Sequence, residues 1–144
     1  MSEVLPGVFI GDDRAATDAT LVRDRGITRV LNVADECGAR VADDPALRVM
    51  WVHLLDSPDE RLLVADVSAA CSFIDAGVAD GRGVLVHCRA GRSRSAMVVL
   101  AYLISRRSMS LGDAYAFLKA KRPEISPNLG YVGFLLQLTP GQRM

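Results

Sequence analysis

Nine consecutive residues hold most of this chain's reactive chemistry: His87-Cys88-Arg89-Ala90-Gly91-Arg92-Ser93-Arg94-Ser95. A cysteine inside a protein is ordinarily a small apolar residue with an inert thiol. Here it stands between two apolar runs, Gly83–Val86 and Ala96–Ile104. The polar insert is therefore predicted to lie where a buried strand ends and a buried helix begins. The first N–H groups of a helix have no intrahelical partner and sit at the positive end of its dipole, so they favour an anion. Gly91 admits backbone angles that side chains resist, which lets successive N–H groups converge. Arg94, with five residues between it and Cys88, can offer its planar fork to two oxygens of a phosphate. A free thiol is only a few per cent thiolate at neutral pH, but one placed at a helix N-terminus beside cations titrates at roughly 3.5–7.5. The stretch is predicted to bind a phosphate and to hold a thiolate against it as a nucleophile.

The flanking sequence supplies the elements to position this loop. EVLPGVFIG, from Glu3, reads as two short strands about a Pro6-Gly7 turn, and DDRAATDATLVRDRG as a helix ending at Gly26. ITRVLNVA and LRVMWVHLL read as strands, with DECGARVADDP and DSPDE as loops. Leu63, Val67, Ala70, Ile74 and Val78 share one helical face. GVLVHC has the unbroken apolar character of a strand buried in a parallel sheet. SRSAMVVLAYLI reads as a buried helix, Ser110 as the cap of a helix through Lys121, RPEISPN as a loop and LGYVGFLLQL as a last helix. The expected fold is α/β: one domain over 1–144, with a central, mostly parallel twisted sheet flanked by helices. In open sheets of this kind ligands bind at the carboxyl ends of the strands, which is where Cys88 falls.

Composition narrows the function classes. The 144 residues are half apolar and carry no net charge, yet the charge is segregated. Residues 1–81 have seven arginines against fifteen acids; residues 82–144 have ten basic residues against two acids. Six arginines and no acid lie from Arg82 to Arg107. They are either surface charges paired with the acidic half or a positive field for an anionic ligand. Nucleic acid is disfavoured, since no basic tail or aromatic-interleaved basic run is present. The start MSEVLPG does not resemble a signal peptide, and no apolar run is long enough to span a bilayer. The expected location is cytoplasmic, or another intracellular compartment such as the nucleus. Three cysteines (Cys37, Cys71, Cys88) and two histidines (His53, His87) suit neither a disulfide framework nor a structural zinc site.

HCRAGRSRS resembles the signature of the cysteine-dependent phosphatases, and in particular of the dual-specificity branch. ITRVLNVA, AYLI and RPEISPN are also similar to that family, so the resemblance covers most of the chain. It implies that Cys88 attacks phosphorus to form a phosphocysteine and that Arg94 holds the phosphoryl oxygens. It implies that residues 89–94 form the phosphate-binding loop, that Ser95 eases departure of the thiolate, and that His87 and Asn128 support the loop. No metal or organic cofactor is implied. In this family a disulfide between oxidised Cys88 and Cys37 or Cys71 is chemically accessible.

The departing alkoxide or phenoxide needs a proton donor. The family places an aspartate on the loop that is HLLDSPDERLL here. Asp56, directly after the strand, best matches that position, with Asp59 and Glu60 also available. Catalytically dead relatives lose the nucleophile or the arginine; here Cys88, Arg94 and Asp56 are all present, which disfavours a mere phosphate-binding module. A rhodanese-like sulfurtransferase is disfavoured by Arg94-Ser95 and by AYLI. The chain resembles the small atypical dual-specificity enzymes, so the expected substrate is a phosphoprotein at tyrosine, serine or threonine. A phospholipid of the phosphoinositide or phosphatidylglycerophosphate type is the alternative, because AGRSRS places Arg92 where protein-directed members commonly carry an apolar residue. There Arg92 would meet a second anionic group on the substrate, or else face solvent or pair with Asp59.

Overall fold

The computed structural model describes residues 1–37, 45–59, 62 and 64–144. Among these residues five strands form one sheet: β1 (Ser2–Leu5), β2 (Val8–Gly11), β3 (Ile27–Asn32), β4 (Arg48–Trp51) and β5 (Gly83–His87), in the order β1-β2-β5-β3-β4. Only β1 pairs antiparallel, through the turn at Gly7; the other pairings are parallel. β5 lies between β2 and β3, and all five of its residues are buried. This explains its lack of polar alternation.

Its side chains alternate between two cores. Val84 and Val86 join the large core beneath α3 (Val64–Ala79), α4 (Arg94–Arg107), α5 (Leu111–Lys121) and α6 (Leu129–Leu136), while Leu85 joins Phe9, Val22 and Val30 beneath two short helices on the other face. The single helix expected over DDRAATDATLVRDRG is two: α1 (Asp13–Thr17) and α2 (Ala19–Asp24). Asp18 ends the first and caps the second, accepting from Leu21 N–H at 3.0 Å, because its short carboxylate competes for backbone donors at a helix start. The strand at LRVMWVHLL is confined to Arg48–Trp51. Ser110 caps α5 as expected, accepting from Asp113 N–H at 3.1 Å.

α4 is buried from Arg94 to Ser105. Burying a large aliphatic side chain contributes about 1.5–3 kcal/mol, so Met97, Leu100, Leu103 and Ile104, each at most 1% exposed, hold this helix and its N-terminus firmly against the sheet. Arg106 ties α4 to α3 through Asp75, Nε to Oδ2 at 2.7 Å. No helix among the described residues is long and apolar enough to cross a membrane.

Candidate active site

The loop from β5 to α4 closes around the Cys88 sulfur. Sγ accepts from the Gly91 N–H at 3.2 Å and lies 3.2 Å from Ser95 Oγ, and the residue is 2% exposed. The loop's carbonyls point outward to fixed partners. Arg89 O accepts from Asp13 N–H at 3.1 Å, Gly91 O from Arg122 Nε at 2.8 Å, and Arg92 O from Ser126 N–H at 2.8 Å. These three carbonyls are thereby drawn outward, while the Gly91 N–H points inward to the sulfur, the sense that an anion-binding loop requires. Gly91 has φ +68°, and a Cβ there would lie 2.7 Å from Gly11 O and 2.5 Å from an Arg122 nitrogen. The loop therefore tolerates no side chain at this position.

His87 Nδ1 lies 3.2 Å from Cys88 O. A carbonyl only accepts, so this nitrogen carries the proton. Burial pushes the imidazole below the usual histidine range, which keeps it neutral and unsuited to donating a proton to a leaving group. Ser93 precedes the first turn of α4, and its Oγ accepts from Asn128 N–H at 3.1 Å. Ala90 is exposed, and the side chains of Arg89 and Arg92 extend to the surface with no ion pair among the described residues.

Arg94 is 4% exposed and engaged in a manner that sequence reasoning missed. Glu36, just after β3, takes the end of its guanidinium fork. One carboxylate oxygen bonds Nη1 and the other accepts from Nη2 at 2.7 Å. Leu54 O takes Nη1 as well, at 3.1 Å. Nε is buried and donates to no atom of the described residues. Five donors leave a planar fork, so the free ones, Nε and the second Nη2 hydrogen, share its side edge. Hydrogen bonding from Arg94 holds the Glu36 carboxyl at about 2, against an ordinary 4.5, and the same bond strengthens the protonation of Arg94.

Asp56 is exposed on the loop after β4 and accepts from Asn128 Nδ2 at 3.0 Å. Asn128 also caps α6, its Oδ1 accepting from Tyr131 N–H at 2.9 Å. The buried Tyr131 hydroxyl donates to Leu55 O, and Gly130 lies against Pro58, whose carbonyl oxygen would be 2.2 Å from a Cβ. α6 thus grips the Asp56 loop. Asp59 forms no hydrogen bond or ion pair with Arg92, and Glu60 lies outside the described residues. The structure therefore brings together Cys88, Arg94, Ser95, His87, Asn128 and Asp56, and adds Glu36, Arg122 and Tyr131. Only Arg122 left a trace in the sequence: a charge in RPEISPN, next to the turn. Cys37 and Cys71 are buried free thiols, each pushed up to about 11 chiefly by desolvation. No cluster of candidate metal ligands occurs among the described residues.

The family model for the dual specificity phosphatase catalytic domain matches residues 8–140. Dual specificity phosphatase 28 of Mus musculus is 40% identical over 131 residues, covering 90% of this chain and 78% of that protein. Dual specificity protein phosphatase 16 of Homo sapiens is 38% identical over 135 residues, 94% of this chain but 20% of that much longer protein. The crystal structure of human DUSP28 superposes with a TM-score of 0.86 at 33% identity, covering 94% of this chain and 92% of that one.

Proposed function

The chain belongs to the dual-specificity phosphatase family, and from that premise we propose that residues 1–144 form one catalytic domain hydrolysing phosphate monoesters on phosphotyrosine and phosphoserine or phosphothreonine of proteins. The observation that carries this reading is the Cys88 sulfur, held at 3.2 Å by the Gly91 N–H at the floor of the loop, with the side edge of Arg94 unengaged beside it.

The thiolate of Cys88 attacks phosphorus in line with the leaving oxygen. The S–P bond forms as the P–O bond breaks, and the departing oxygen takes its proton from the Asp56 carboxyl. Arg94 Nε and Nη2 hold two equatorial phosphoryl oxygens, and inward N–H groups of residues 89–94 hold the charge as it spreads over them. Asp56, now a carboxylate, then takes a proton from a water attacking the phosphocysteine. The S–P bond breaks and phosphate leaves. Ser95 Oγ, 3.2 Å from Sγ, donates to the returning thiolate and makes it a better leaving group. His87 and Asn128 position the loop and Asp56 rather than touch substrate. No step calls for a metal or organic cofactor.

A phosphorylated lipid head group is the second reading, favoured by Arg89 and Arg92, two surface cations at the rim of the loop that form no ion pair among the described residues. Rates on phosphotyrosine and phosphothreonine peptides, measured beside phosphoinositide and phosphatidylglycerophosphate vesicles, separate the two. The protein reading expects the highest kcat/KM on a phosphopeptide, and a preference for either lipid would replace it. Cys88→Ser is expected to abolish turnover of an aryl phosphate while leaving anion binding in place. Near wild-type kcat in that variant would end the covalent mechanism.

A further inference from the structure

The parallel strands have two ends. Their carboxyl ends, at Gly11, Asn32 and His87, frame the catalytic loop; their amino ends, at Val8, Ile27 and Gly83, frame something else. A cleft of about 560 Å³ opens there, lined by Arg23 and Arg25 at the end of α2, by Arg82 before β5, and by the turns at Gly7, Gly26 and Gly81. A smaller hollow of about 200 Å³ adjoins it, sharing Thr28 and Arg82 and adding Arg29 and Arg48. Strands of this length place the cleft about 15 Å from Cys88.

Five guanidinium groups thus converge from four segments. Among the described residues that line the two hollows, two are carboxylates, both engaged: Glu3 accepts from the Gly7 N–H at 3.3 Å and Asp80 pairs with Arg29 at 3.5 Å. Arg23, Arg25, Arg48 and Arg82 are exposed, and their side chains make no hydrogen bond or ion pair among the described residues. Gly26 and Gly81 both turn with φ +68°, the left-handed region that favours glycine, and the space beside each is open, with nothing within 4 Å of where a Cβ would stand. Arg29 also stacks on Phe73, 5.0 Å from the ring centroid, so in a chain of zero net charge it is the other four arginines that concentrate positive potential at this end of the sheet, a field that favours an anion.

We propose that this cleft is a second anion site, which binds a small ligand bearing two or more clustered phosphates. Its volume is that of a small-molecule site. Guanidinium forks match phosphate oxygens in pairs, and several forks around one hollow suit several phosphates on one scaffold. The aromatic residue lining it, Phe9, is 4% exposed, so no ring is available to stack a nucleobase. This site does not depend on the catalytic reading, because it shares no residue with the loop.

Calorimetry with inositol hexakisphosphate as the probe tests it, on the full chain with the catalytic loop saturated by vanadate. One-to-one binding is expected, weakened roughly tenfold or more in Arg25→Ser/Arg82→Ser and weakening as salt rises. The double variant should keep wild-type kcat/KM on an aryl phosphate. Flotation with vesicles of phosphatidylcholine containing phosphatidylinositol 4,5-bisphosphate tells a lipid head group from a soluble anion; retention by the vesicles assigns the lipid source, and binding of the free probe alone the soluble one. Failure of the vanadate-loaded protein to bind either probe overturns the proposal, as does equal affinity in the double variant. Equal affinity of the wild type for poly-glutamate also overturns it, because the site would then read charge and not phosphate.

Discussion

Glu36 and Arg94 face each other end-on across 58 residues of sequence, carboxylate to guanidinium, with two hydrogen bonds between them. The pair engages the end of the guanidinium and leaves its side edge, with Nε, as the edge open to a ligand. Glu36→Gln keeps the shape but removes the charge, leaving a buried cation underbalanced. Glu36 is 43% exposed on its side chain, so solvent replaces part of what is lost. The expected destabilisation at pH 7 is roughly 1–2 kcal/mol by chemical denaturation, with a several-fold fall in kcat/KM. The sign with pH is fixed. A carboxyl held at about 2 rather than 4.5 contributes its full stability above 4.5 and loses it as pH falls toward 2. Denaturation curves of wild type and Glu36→Gln should therefore converge across that window; a gap that widens there would contradict the pairing.

Asp56 is expected to act as the proton donor. Asp56→Asn should lower kcat by roughly 10²–10⁴ on a substrate with a poor leaving group, and by much less when the leaving group is a nitrophenol that needs no proton. An equal or larger loss in Asp59→Asn would move the role to that residue.

The Asn128 side chain bonds Asp56 and the Tyr131 N–H, and its backbone N–H donates to Ser93 Oγ. In Asn128→Ala the α6 cap is lost, at a cost of about 1 kcal/mol, and Asp56 loses its side-chain partner. The rate penalty should again be larger for poor leaving groups than for good ones. A penalty independent of the leaving group would place the effect on the phosphate loop instead of on Asp56.

Gly130→Ala inserts a methyl group where Pro58 O already stands, at 2.2 Å. Neither backbone can yield without moving α6 or the Asp56 loop. Reduced kcat with near-normal phosphate affinity is expected, read from turnover and from competitive inhibition by inorganic phosphate.

Arg92 directs its carbonyl to Ser126 and its side chain to solvent. A solvent-exposed contact of this kind is worth ~0.2–1 kcal/mol, so Arg92→Ile should weaken a doubly anionic substrate a few-fold more than a simple aryl phosphate. The difference should shrink at high salt. Equal losses on both substrates would mean that Arg92 shapes the loop and does not read the substrate.

The geometry of the loop around Cys88 was legible because its parts are contiguous. Strand, loop and helix follow one another from Gly83 to Arg107, and local geometry alone brings Gly91 N–H and Ser95 to Cys88. The α/β class followed from the alternation of apolar strands and helical patterns for the same reason. The break at Asp18 was missed although its signal is local, since one helical period was read through a residue that prefers to cap.

What only the tertiary structure decided is everything carried by long-range neighbours. Placing β5 between β2 and β3 sets the ends of those strands beside the loop. This brings in Asp13 and Glu36, and it gathers the arginines at the opposite end. Asp56 acquires Asn128 from 72 residues away. A carboxylate reads the same in sequence whether it faces water or a buried guanidinium. Its role depends on which strand lies next to which, and strand order is set by the packing of the whole sheet.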